Sequence, residues 1–130
     1  MTHTATYRAA VPTFRDGVAG GEDVPVSTEE DVDRLVTLLV EPGVYTASLQ
    51  AGEGMAVLEA HVQDGYGYLR YYGLDQSAVS AGVSASPPVE SEVEFPGGSG
   101  LPLDQFRAVL AEFVKTGGRR PAAVEWRRLS

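Results

Sequence analysis

The sequence predicts an α+β fold, a single domain in which a mostly antiparallel β-sheet packs against two α-helices. Three observations point there. Two segments repeat apolar residues at helical spacing, the stretches around them are short, tyrosine- and valine-rich and separated by glycine-containing turns, and 130 residues leave room for one hydrophobic core. With 43 % hydrophobic and 22 % charged residues, the chain carries enough apolar surface to fold unaided. The expected domain spans residues 1–130.

A first strand is expected near Thr4 to Ala9. The following segment, 15–25, is rich in glycine and ends in proline, and it reads as a loop. A helix then opens at Ser27-Thr28-Glu29-Glu30, where a capping box satisfies free backbone donors and the acids oppose the positive end of the helix dipole. Val32, Leu35, Val36 and Leu39 form its buried stripe, and Glu41-Pro42-Gly43 stops it. Strands are expected at Tyr45 to Gln50, Ala56 to Gln63 and Tyr66 to Tyr72. Asp64-Gly65 joins the last two as a two-residue hairpin turn, because both turn positions need positive φ. Further strands are expected at Ala78 to Val83 and Val89 to Phe95, followed by a loop over 96–101. The second helix starts at Pro102, buries Leu103, Phe106, Leu110, Phe113 and Val114, and ends at Gly117-Gly118. A last strand covers Ala122 to Arg127, with Trp126 packed on that helix.

Composition narrows the chemistry. Without cysteine there are no disulfides, thiolate ligands or thiol nucleophiles. The two histidines, His3 and His61, are too few for a metal site, and no phosphate loop or dinucleotide fingerprint occurs. Neither catalytic residues, metal nor cofactor are expected. The start MTHTATYRAAVPTF lacks the basic and apolar regions of a secretory signal, and no stretch approaches membrane-spanning length, so the expected location is the cytoplasm, with no membrane partner. The net charge of −8 lies entirely in residues 1–64, which hold 11 acids and 3 bases, whereas residues 65–130 hold 7 of each. That balance argues against nucleic acid as a direct partner and is suited to a basic one.

Glu90, Glu92 and Glu94 alternate in the expected strand before Phe95-Pro96 and so would share one face as an acidic ridge, or merely keep that face solvated. Tyr66, Tyr68, Tyr71 and Tyr72 form the densest aromatic cluster, equally suited to a half-buried sheet and to an interface.

The C-terminal third adds an ordered set of motifs: Glu94-Phe95-Pro96, Leu101-Pro102-Leu103-Asp104, Phe113 to Pro121 and Val124-Glu125-Trp126. The succession resembles the Imm1 family of actinobacterial immunity proteins, with their E-F-P loop, I/L-P-L-D helix start, F-x-x-T-G-x-R-P turn and V-E-W strand. Thr28 to Leu39 is similar to the family's first helix, and Gly67 to Gly73 resembles its central G-x-L-x-Y-x-G strand. Residues 75–91 fit the pattern least well. The resemblance implies a non-enzymatic protein encoded beside a polymorphic toxin, commonly a nucleic-acid deaminase, which it blocks by direct association. The toxin-facing residues expected are Asp64, Tyr66, Tyr68, Asp75, Glu90, Glu92 and Glu94. Two other readings remain open: a small-molecule binding module or accessory enzyme, with His61 or a glutamate in a tyrosine-lined pocket between sheet and helices, and a structural homo-oligomer.

Overall fold

A computed structural model describes residues 7–41, 43–51, 56–73, 77–89, 94–116 and 120–128. Among these described residues, eight antiparallel strands form one sheet, with two helices on one of its faces. The strands are β1 (Tyr7–Arg15), β2 (Val18–Val26), β3 (Ala47–Ala51), β4 (Val57–Gln63), β5 (Tyr66–Tyr72), β6 (Ser77–Ser80), β7 (Leu101–Pro102) and β8 (Trp126–Arg128), and the helices are α1 (Glu29–Val40) and α2 (Leu103–Lys115). Across the sheet the order is β2-β1-β3-β4-β5-β6-β8, with β7 pairing the turn-proximal end of β5. The α+β expectation holds.

The first hairpin corrects the loop expected over 15–25. Asp16 and Gly17 take φ of 53° and 76°, so they form the same mirror-image two-residue turn as Asp64 and Gly65, at 53° and 82°. Register runs unbroken from Arg15↔Val18 to Tyr7↔Val26. Glycine is weak in a strand but not excluded, and Pro25 is tolerated because β2 lies at the sheet edge. The expected strand Thr4 to Ala9 is thus displaced along the chain to Tyr7–Arg15, its first residues lying outside the described ones.

Helix α1 begins one residue later than expected. Thr28 is the N-cap, Asp31 closes the capping box, and the Asp31 carboxylate also accepts from the Ser27 amide at 2.9 Å. Those backbone amides, Ser27 foremost, hold the Asp31 carboxyl below its ordinary pKa. Val32, Leu35 and Leu39 are buried as expected. In α2, Pro102 is the N-cap, and Phe106, Val109, Leu110, Phe113 and Val114 are buried. Thr116 caps the end of α2, and the expected Gly117-Gly118 stop lies outside the described residues.

These helix stripes meet Tyr7, Ala9, Val11, Leu49, Leu58, Ala60, Leu69 and Tyr71 from the sheet in one core. Gly67 of β5 lies directly under Phe106, and a Cβ there would overlap the ring. Glycine is therefore what lets α2 approach the sheet. Arg107 of α2 grips Asp33 of α1 through Nε and Nη2, which ties the two helices on their solvent side. Trp126 is half-buried, tilted against Tyr71 with ring centroids 6.1 Å apart, and its indole N–H donates to the Pro121 carbonyl.

Candidate functional site

The sheet face opposite the helices is built by the alternate residues of each strand. Register places Asp23, Ala10, Ser48, Glu59, Arg70 and Val79 in one row across it. Part of this face carries a second, smaller core of Tyr68, Val79, Val89 and Phe95, with Tyr66 packed against it. Residues 81–89 and 94–100 make that cover. It is held by Ser80 Oγ donating to the Ser99 carbonyl at 2.7 Å, Gly100 N–H donating to Ser86 Oγ at 2.9 Å, and Tyr68 Oη donating to the Pro87 carbonyl at 2.7 Å. A Cβ on Gly82 would strike the Gly100 carbonyl, so the two passes of this segment touch backbone to backbone.

The expected strand Val89 to Phe95 does not form as such. Val89 and Phe95 bridge each other through two backbone hydrogen bonds of 2.9 and 3.1 Å, so they lie side by side instead of at the two ends of one extended run. Likewise β6 ends at Ser80, short of the expected Val83, because the chain leaves the sheet there to build the cover. The final strand is confined to Trp126–Arg128.

Of the expected toxin-facing residues, Asp64 is exposed on the β4–β5 turn and Glu94 is exposed beside Phe95. Tyr66 is half-buried on the second core. Tyr68 is fully buried, which removes its ring from contact with a partner, and burial, with the Asp64 charge nearby, raises its hydroxyl pKa. Asp75, Glu90 and Glu92 lie outside the described residues.

His61 sits on this face, away from the helices, stacked on Phe95 with ring centroids 6.1 Å apart. Thr46 Oγ1 lies 3.2 Å from Nδ1, and Gln63 Oε1 lies 3.1 Å from Nε2. Burial, only partly offset by Gln63, lowers its pKa. The small-molecule reading calls for His61 or a glutamate in a tyrosine-lined pocket between sheet and helices, and this geometry places His61 on the other side of the sheet. The helix side does contain a cavity of about 210 Å³ between the start of α1 and the end of α2, lined by Ser27, Thr28, Glu29, Val32, Val114 and Lys115. Its glutamate is solvent-exposed.

Sequence reasoning missed the polar centre of the open face. Glu59 stands opposite Arg70, and both sit beside Tyr72, whose hydroxyl hydrogen-bonds Glu59. Burial raises the Glu59 pKa against the opposing pull of the Arg70 charge and the Tyr72 hydroxyl. The Arg70 guanidinium lies 5.3 Å from the Tyr72 ring centroid, and its Nη1 donates to the Glu94 carbonyl at 3.2 Å. Arg70 thereby ties the strand to the cover segment at Glu94. The signal was present, because a two-residue turn at Asp64-Gly65 fixes Glu59 opposite Arg70.

No group of three or more potential metal ligands occurs among the described residues. No described helix is long and apolar enough to cross a membrane. A family model described as "Immunity protein Imm1" matches residues 20–128 of the chain. Neither a curated protein nor a solved structure matches it.

Proposed function

Because the chain belongs to the Imm1 immunity protein family, we propose that it binds a cognate protein toxin in the cytoplasm and neutralises it by association, without catalysing a reaction. The family match across residues 20–128 carries this reading, since it takes in both helices and every strand from β3 to β8. The toxin proposed is of the nucleic-acid deaminase class. An enzyme that holds nucleic acid presents a basic surface, and a partner of net charge −8 is drawn to such a surface over distances of about a Debye length.

The proposed toxin-facing residues are Asp64, Tyr66 and Glu94, together with Asp75, Glu90 and Glu92. In support, Asp64 and Glu94 are exposed, and Glu94 is anchored to the sheet through Arg70. Tyr68 has a supporting part, holding the cover segment through its bond to Pro87.

The experiment is capture of the purified product of the neighbouring gene by the tagged chain, coupled to co-expression in cells that this product kills. Capture with rescue is expected. A neighbour that is correctly produced and toxic, yet neither captured nor counteracted, overturns the proposal.

A further inference from the structure

Strand β2 is the outer strand of the sheet, and its far side pairs with nothing among the described residues. Which of its backbone groups point outward follows from the turn. In a two-residue hairpin the residues flanking the turn, Arg15 and Val18, form a hydrogen-bonded pair, and such pairs then recur at every second position. Val18, Gly20, Glu22, Val24 and Val26 therefore direct their amides and carbonyls to β1. The other side of β1 agrees, since the Pro12 carbonyl and the Phe14 amide bond there to Tyr45 and Gly43. Ala19, Gly21 and Asp23 turn their N–H and C=O groups outward, and Pro25, which has no N–H, ends the run.

That edge is extended, long and uncovered: β2 spans nine residues, and Val18 through Asp23 are exposed. Gly20 and Gly21 leave a shallow depression of about 420 Å³ beside it, bordered by Ala10, Pro12 and Asp23 on the open sheet face. Charge decides what fits there. Residues 16–41 hold eight acids and one base. Arg8, Arg15 and Arg107 pair with acids of this region from outside it, and four negative charges still remain after all four arginines are counted. A second copy added across β2 would bring this acidic region against itself, and opposed like charges on paired strands are unfavourable. A basic strand instead meets the net negative charge of residues 16–41.

We infer that the outward edge of β2, over Ala19 to Asp23, accepts an extended, lysine- or arginine-bearing segment of the toxin as an added antiparallel or parallel strand. A side chain of that segment enters the depression over Gly20-Gly21, and its cations compete with Arg15 for Glu22 and with Arg8 for Asp23, both of which are exposed and therefore weak pairs. This rests on the immunity reading and adds where and how the partner is held.

The test uses the full chain and the purified product of the neighbouring gene. Hydrogen exchange of backbone amides is followed in the free and mixed proteins, after capture by the unaltered chain has been established. In the free chain Ala19, Gly21 and Asp23 exchange fast while Gly20, Glu22 and Val24 are protected. On binding, the first three slow markedly. Gly21→Pro deletes an outward donor without touching the β1–β2 ladder and weakens binding about tenfold. A Cβ at this position meets only the Val11 carbonyl, at an ordinary 3.5 Å. Captured toxin with free-rate exchange at these three amides overturns strand addition and leaves immunity standing, and this outcome is readable on the unaltered chain even if Gly21→Pro fails to fold. Loss of capture by the unaltered chain overturns both. Protection of the same amides in the toxin-free chain, with a dimer in sedimentation, assigns the edge to a second copy and overturns the inference.

Discussion

At the scale of single residues, His61 and Gly67 carry consequences that can be measured. His61 is buried between Thr46, Tyr68, Phe95 and Gln63, and its pKa in the folded chain lies below the 6.5 of a free histidine. A histidine lowered in this way takes up its proton more readily when unfolded. Stability is therefore constant above about pH 6.5 and falls as pH drops below it, by up to about 1.4 kcal/mol per pH unit. His61→Phe should flatten that slope between pH 6.5 and 5 in urea unfolding. The comparison of the two slopes isolates His61 from Glu59, whose raised pKa acts with the opposite sign by favouring the protonated folded state. An unchanged slope would place the titration elsewhere. Gly67→Ala inserts a methyl group into the Phe106 ring and should cost about 1 to 3 kcal/mol by overpacking, read from the urea midpoint. Gly67 appears in the sequence as one residue of a strand motif, and only the placement of α2 shows why it has no side chain.

Among elements, helices were the most legible, because a 12-residue stripe and its cap are local patterns. The cap moved by one residue, from Ser27 to Thr28, since Asp31 and not Glu30 returns the bond. Thr28→Ala should thus destabilise by about 1 kcal/mol, while Ser27→Ala does so less, as thermal unfolding of both variants will show. The first hairpin was less legible. Arg15-Asp16-Gly17-Val18 carries the same Asp-Gly signal as the β4–β5 turn, but Gly20, Gly21 and Pro25 nearby suggested a loop. At a sheet edge those residues are compatible with a strand, and edge position is not a local property. Trp126 was expected to be buried on α2. It is half-buried against Tyr71, so Trp126→Ala should cost about 2 kcal/mol, less than a fully enclosed aromatic would. A loss above about 4 kcal/mol in chemical denaturation would contradict this placement.

For the whole molecule, charge governs how a partner arrives and topology governs where it stays. Charge reversal at Glu92 and Glu94 together should slow association with the toxin and reduce its salt dependence, leaving thermal stability unchanged. Association rates measured across a range of ionic strength will test this, and a rate equal to that of the unaltered chain would remove these glutamates from the interface. The sequence by itself determined the α+β class, both helices, the Asp64-Gly65 hairpin, the separation of charge between the halves and, through its ordered C-terminal motifs, the family. All of these are encoded by neighbours in the chain or by composition. Only the tertiary structure decided that β1 lies between β2 and β3, that His61 faces away from the helices, that Tyr68 is enclosed, and that β2 is left as an edge. The physical reason is that strand neighbours and buried faces are set by contacts between residues far apart in sequence. Local alternation says which residues share a face, and what covers that face depends on the rest of the chain.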